Sequence, residues 1–162
     1  MAGKGKYYES QFEEATIELL RESHWQYTFG DDIHRKYTDP LIEEDLRTFL
    51  AAQYKDKKLT ASEVDGIVAN LRNTGGQNDY YALQNTFLLY RDGYDFTYSD
   101  SRDNPFRLQY IDFEHPDHNI FRCVNQFVME QGRENRRPDI LLFVNGIPVC
   151  IVELKNPTKQ NA

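Results

Sequence analysis

Apolar positions recur at helical spacing through the first ninety residues and switch to strand-like alternation after them. Phe12, Ala15, Leu19 and Leu20, widened by Ile17, predict a first helix. It starts between Tyr7 and Ser10 and ends before the stretch Trp25 to Gly30. Asp39 as N-cap and Pro40 at the first helical position open a second helix. Its stripe is Ile42, Leu46, Phe49 and Leu50. Thr60-Ala61-Ser62-Glu63 is a capping box, and Val64, Ile67, Val68 and Leu71 continue a third helix that stops at Asn73-Thr74-Gly75-Gly76. A fourth runs from about Asp79 to Tyr90 and ends by Gly93.

Beyond Gly93 the period changes. Tyr94, Phe96 and Tyr98 alternate with polar residues and predict a strand. Arg107 to Phe113 is strand-like with a slip in its alternation, and Phe121 to Met129 reads as a longer strand. Pro138 to Val144 and Ile147 to Leu154 form a hairpin around Asn145-Gly146. Helices first and a mainly antiparallel sheet afterwards predict an α+β or mixed α/β fold. A length of 162 residues suits a single domain, 1–162. The apolar hairpin near the end of the chain lacks the helix expected to cover it, which marks the chain as an expected N-terminal fragment of a longer protein.

Charge narrows the function classes. The formal net charge is -7, so nucleic acid cannot be held by a generally basic surface, and contact with DNA needs a local patch, a metal or a partner. Both cysteines, Cys123 and Cys150, lie in apolar strand-like runs and read as reduced core residues of a cytoplasmic protein. No run of 18 apolar residues occurs, and Met1 to Lys6 lacks an apolar signal core, so no membrane association is expected.

The hairpin contradicts its own pattern. Its first strand opens on Pro138-Asp139 and its second closes on Glu153-Leu154-Lys155. Two carboxylates on adjoining strands can hold a divalent ion, which polarises a phosphate and acidifies a bound water. A lysine two residues on lies on the same side of a strand and can stabilise developing charge on phosphorus. Register decides whether the carboxylates meet. A two-residue loop at Asn145-Gly146 pairs Val144 with Ile147, sets Asp139 opposite Val152 and turns Glu153 to the other face. A three-residue loop with Gly146 left-handed pairs Phe143 with Ile147 and makes Glu153 the diagonal neighbour of Asp139, roughly 7–8 Å away. The metal reading therefore requires the longer loop. The plain alternative is a Glu-Lys pair solvated at a strand end.

Pro138-Asp139 with Glu153-Leu154-Lys155 resembles the PD-(D/E)xK nuclease motif. The wider run is Phe121-Arg122-Cys123-Val124-Asn125-Gln126-Phe127, Arg136-Arg137-Pro138-Asp139 through Pro148, and Ile151-Val152-Glu153-Leu154-Lys155-Asn156-Pro157. It resembles the N-terminal endonuclease domain of the restriction (R) subunit of type I restriction-modification enzymes, as do Phe12-Glu13-Glu14 and Ile111-Asp112-Phe113 before Asn119. The resemblance implies a restriction-endonuclease-like core, a mixed sheet flanked by helices. It also implies Mg²⁺-dependent cleavage of double-stranded DNA, with Mn²⁺ able to substitute. Asp139 and Glu153 become metal ligands, Lys155 the catalytic lysine, and Glu13, or Glu14 in its place, the completing glutamate. Glu13 also closes a capping box, Ser10-Gln11-Phe12-Glu13, and that structural role competes with the catalytic one. The family joins this domain to a DNA-translocating ATPase and to methyltransferase and specificity subunits. ATP would act only outside this chain, and a Gln-x-x-x-Tyr element expected downstream has no room before Ala162.

Two rival readings stand beside this one: a non-catalytic docking module of the same assembly, and a PD-(D/E)xK nuclease of another defence or repair system. Arg133, Arg136 and Arg137 form a basic cluster for the DNA backbone or a solvated loop. Gln126 lines the cleft or is an ordinary strand hydrogen-bonder. His115-Pro116-Asp117-His118 has loop composition and no further cysteine or histidine at zinc spacing, and reads as a loop.

Overall fold

The computed structural model describes residues 9–74, 79–131 and 134–155. In chain order these form α1 (Glu9–Glu22), β1 (Gln26–Phe29), α2 (Glu43–Gln53), α3 (Ala61–Arg72), α4 (Asp79–Asp92), β2 (Tyr94–Phe96), β3 (Phe106–Leu108), β4 (Phe121–Asn125), β5 (Met129–Gln131), β6 (Glu134–Arg136), β7 (Ile140–Val144) and β8 (Ile147–Val152). The chain divides into two compact units, one of residues 1–42 and 121–162, the other of 43–120. The class is the α+β arrangement that the switch of period predicts.

The first unit is a four-stranded sheet in the order β1-β4-β7-β8, with β1 parallel to β4 and the other pairs antiparallel. Ile17 of α1 packs with Cys123 and Ile140, and Leu20, Trp25, Leu142, Val152 and Leu154 extend that layer. Ile42, Val124, Phe127, Leu141 and Phe143 form a second cluster, joined by Ile33 and Met129. The two clusters take alternate residues of β4 and β7, as the pleat requires. β1 escaped the sequence reading because four residues with little burial carry almost no periodicity. The apolar stripe of α1 is also rotated from the predicted one. Leu19 is 64% exposed and Ala15 exposed, whereas Glu13, Thr16, Ile17 and Leu20 turn inward.

The predicted long strand from Phe121 ends at Asn125. Gln126 takes a left-handed conformation (φ 55°), and a short hairpin of β5 and β6 follows after the buried Phe127. Arg35 secures this break. Its guanidinium lies 3.4 Å from the Phe127 ring centroid and donates to the Val128 carbonyl. Gly30 is required beside it, since a Cβ there would stand 2.5 Å from the Gln126 carbonyl oxygen.

The second unit holds α2, α3 and α4 with the antiparallel pair β2–β3. The capping box of α3 is present: Glu63 N–H donates to Thr60 Oγ1, and the Glu63 carboxylate accepts from Thr60 N–H at 2.8 Å. Asp39 does not cap α2. Its Oδ1 accepts from the Leu41 N–H in a local turn, and the helix begins at Glu43. The strand expected over Arg107 to Phe113 shortens to β3, and buried Tyr110 donates its hydroxyl to the Ile67 carbonyl at 2.8 Å.

Arg102 donates to both oxygens of the buried Glu63 carboxylate, at 3.0 and 2.6 Å. That pairing, with the Thr60 N–H, holds the Glu63 carboxyl down at about 2. A depressed folded pKa contributes stability above the unfolded glutamate value of about 4.3, and this stability is lost as pH falls toward about 2. Thermal melts between pH 5 and pH 2 are expected to show Glu63→Gln less stable than wild type at pH 5, with the gap closing as acid is added. A constant gap would mean that Glu63 acts through packing alone.

Candidate active site

The hairpin turn has two residues, not three. Val144 pairs with Ile147, and Asn145 and Gly146 both have positive φ (51° and 75°), as a type I′ turn requires. By loop length alone, Asp139 and Glu153 would lie on opposite faces. A β-bulge changes that count. Phe143 pairs with Pro148 and Leu142 with Cys150, so Val149 is an extra residue on β8. The last registered pair is Ile140 with Val152, and Asp139 and Glu153 are the next residues along the chain on either side of it. The expected three-residue loop is thus corrected to a two-residue turn, and the extra residue lies within β8 rather than in the loop.

Pro138 is buried and Asp139 half-buried, and Asp139 Oδ2 accepts the Leu154 N–H at 2.7 Å. The bond ties the start of β7 to the chain leaving β8, between Glu153 and Lys155. Val152 and Leu154 both pack in the layer beneath α1. Glu153 and Lys155, out of phase with them, are exposed.

Glu13 approaches the same end of the sheet by another route. It lies one turn before Ile17, so packing of Ile17 against Cys123 and Ile140 turns Glu13 inward. Its Oε1 accepts from Asn125 Nδ2 at 2.7 Å and from Gln126 Nε2 at 3.5 Å. Tyr27 of β1 donates its hydroxyl to Asn125 Oδ1 at 3.1 Å. Burial, and next the Glu13 carboxylate, push the Tyr27 phenol above its ordinary value. Ser10, Glu13, Glu14, Ile17, Tyr27 and Asn125 are among the residues lining a cleft of about 340 Å³. Glu14 is exposed. Asn125 pairs with Ile140 in the last registered pair of β4 and β7, so Gln126 and Asp139 both leave the strands at this end of the sheet.

One end of the sheet therefore gathers Glu13, Gln126, Asp139 and Glu153 on neighbouring segments. Two groupings form there, Glu13 with Asn125 and Gln126, and Asp139 with the Glu153–Lys155 segment. Asn125, which donates to Glu13, and Tyr27, which donates to Asn125, were not singled out from sequence; Asn125 stood only inside the run Phe121 to Phe127. The basic cluster is more peripheral. Arg136 is in β6, exposed, 3.6 Å from Glu134, a solvated pair of small energetic weight. Arg137 is exposed, and Arg133 falls outside the described residues. Cys123 is buried and Cys150 exposed, which corrects the reading of both as core residues. The difference follows from β8, where Val149 and Ile151 are exposed too. Among the described residues, no helix is long and apolar enough to cross a membrane.

Carboxylate oxygens on adjoining strand ends suit a hard divalent ion such as Mg²⁺. Asp139 and Glu153 fit that requirement. Asp139 is oriented through one oxygen by a main-chain donor, which leaves its other oxygen to ligate.

The family model for the type I restriction enzyme R protein N terminus matches residues 6–162. The type I restriction enzyme HindI endonuclease subunit of Haemophilus influenzae is 29% identical over 95% of this chain. A Methanocaldococcus jannaschii protein described as a type I restriction enzyme MjaIXP endonuclease subunit is 28% identical over 90%. The chain spans 15% of the length of each of these relatives. A family match running over every described residue shows that this chain belongs to the family of the type I restriction enzyme R protein N terminus.

Proposed function

We propose that this chain is the endonuclease domain of a type I restriction enzyme, cutting double-stranded DNA by Mg²⁺-dependent phosphodiester hydrolysis, with Mn²⁺ able to replace Mg²⁺. The observation that carries the reading is the bulged register that ends with Ile140 on Val152, next to Asp139 and Glu153, with Leu154 N–H donating to Asp139. Asp139 and Glu153 would hold the ion. When bound, it would polarise the phosphate and favour a hydroxide nucleophile. Lys155, exposed beside them, supplies a fixed cation toward the charge developing on phosphorus. Glu13 would complete the site from α1, and its carboxylate accepts from Asn125 and Gln126. Arg136 and Arg137 would meet the DNA backbone, a local contact on a chain of net charge -7. Methyltransferase and specificity subunits would supply the rest of the DNA affinity, and an ATP-driven translocase outside this chain would feed the substrate. This reading places the domain in the cytoplasm.

Opposed carboxylates repel until an ion lies between them, so Mg²⁺ binding should stabilise the fold. At tenfold over its dissociation constant, a ligand adds about 1.4 kcal/mol, or roughly 3–5 °C in melting temperature. Wild type is expected to gain that in millimolar Mg²⁺, and Asp139→Ala is expected to gain nothing. Mg²⁺ avoids imidazole, so the shift reports on carboxylates. An unchanged wild-type melt would favour a docking module with no ion site.

A further inference from the structure

Among the described residues, one trio of ligand-type side chains converges away from the hairpin. Asp112, His115 and His118 bring one ligand atom each within 4.8 Å of one another. All three come from the segment that follows β3, in the second unit. Sequence reading weighed the two histidines alone. The third ligand, Asp112, lies three residues before His115, and only the fold of the loop brings it in.

The loop is built around Asp112. Its Oδ1 accepts the N–H groups of Glu114 and His115, at 3.0 and 2.9 Å. Asn119 closes the far side, with Oδ1 accepting the Asp112 N–H and Nδ2 donating to the Asp112 and Pro116 carbonyls. Asp112 is buried, and one of its oxygens is committed to the main chain. The other, Oδ2, lies 3.1 Å from His118 Nδ1 and 3.7 Å from His115 Nδ1. Gln53 Nε2 donates to the same Oδ2 at 2.9 Å. The imidazoles stack with centroids 5.0 Å apart and planes 19° from parallel.

Those separations match a metal. Bonds of about 2.0–2.1 Å at tetrahedral angles put neighbouring N and O ligand atoms about 3.3 Å apart. The distances from Asp112 Oδ2 to the two Nδ1 atoms, 3.1 and 3.7 Å, bracket that value. Two imidazoles and one carboxylate suit zinc-like transition ions, whereas Mg²⁺ takes oxygen ligands. Gln53 and the N–H groups of Glu114 and His115 hold the carboxylate as outer partners that orient a ligand. His115 and His118 are 61% and 51% exposed, so an ion has open access and solvent can complete its shell.

We propose that Asp112, His115 and His118 bind a divalent transition ion of the zinc class, through Asp112 Oδ2 and the Nδ1 atoms of both imidazoles. On binding, each Nδ1 offers its lone pair to the ion: a neutral imidazole carries its one proton on Nε2, reached through solvent if it began on Nδ1, and an imidazolium releases one proton to solvent. The bound ion clips the loop from Asp112 to Asn119. The site shares no residue with the hairpin carboxylates and stands or falls apart from the nuclease reading.

The test is a Co²⁺ titration of the 162-residue protein, followed by visible absorption and then by Zn²⁺ displacement. Wild type should develop a saturable band at one equivalent, with the intensity of a four-coordinate N/O site, and Zn²⁺ should abolish it. His115→Ala and His118→Ala should each weaken binding by at least about 10-fold, and the double variant His115→Asn/His118→Asn should lose the band. Both histidines are exposed, so these variants should keep the wild-type melt, and circular dichroism checks this. Asp139→Ala should keep the band in full. No saturable band in wild type, a band that survives the double histidine change, or a band lost in Asp139→Ala would each overturn the proposal.

Discussion

A full-length restriction subunit carrying Lys155→Ala is expected to cut DNA about 10²–10³-fold more slowly than wild type, the usual cost of removing one fixed donor of transition-state charge. ATP turnover on the same preparation is expected to be unchanged. The expectation rests on where Lys155 stands. It is exposed, two residues after Glu153, while Val152 and Leu154 supply the packing beneath α1. An exposed lysine outside the core costs within about 0.5 kcal/mol when truncated, so the fold should survive. Cutting at the wild-type rate would remove Lys155 from the mechanism. Loss of cutting and ATP turnover together would mean that the substitution acts on the structure, or that the two functions are coupled.

The largest expected loss of stability comes from Gly93→Ala. Gly93 ends α4 with φ at +66°, its N–H donating to the Leu89 carbonyl at 2.9 Å. A Cβ there would lie 1.9 Å from the Leu108 carbonyl oxygen, which is backbone of β3 and cannot rotate away. Left-handed strain alone costs about 1 kcal/mol, and overpacking adds to it, for a total of roughly 3–5 kcal/mol. Equilibrium urea unfolding measures this. Gly93→Asn separates the two causes, because asparagine tolerates the left-handed region but carries the same Cβ. If the steric clash dominates, Asn and Ala are equally damaging. A mild Asn variant would show that the backbone conformation alone was responsible.

The helices of the second unit were legible because their signals are local. Thr60 and Glu63 sit three apart in any conformation, and the capping box they form needs nothing from the rest of the chain. The place of the hairpin turn was legible for the same reason, since Asn145-Gly146 marks a turn locally, but its length was not: two residues stand where the metal reading required three. The stripe of α1 was not, because Leu19 and Ile17 are equally apolar and only the sheet decides which is covered. Register was not legible either. Val149 carries no mark of a bulge, and the sum of pairings along β7 and β8 is a long-range property. The metal reading was therefore reached through the wrong loop, while the residues it brought together are neighbours in the fold. Asn125, Gln126 and Glu13 meet across more than a hundred residues, beyond the reach of any spacing rule.

The extra residue in β8 gives the hairpin an asymmetric tolerance to changes in length. Regular pairing from the Asn145-Gly146 turn would bring Asp139 to Val152, one position short of Glu153. Loss of Val149 itself would leave every registered partner in place and straighten the strand. Gain of a residue in the same stretch would need a second irregularity, or would carry the acidic end of β8 past its counterpart. This hairpin is thus expected to tolerate the loss of one residue at Val149 better than the gain of one, a constraint written in residue number rather than residue type.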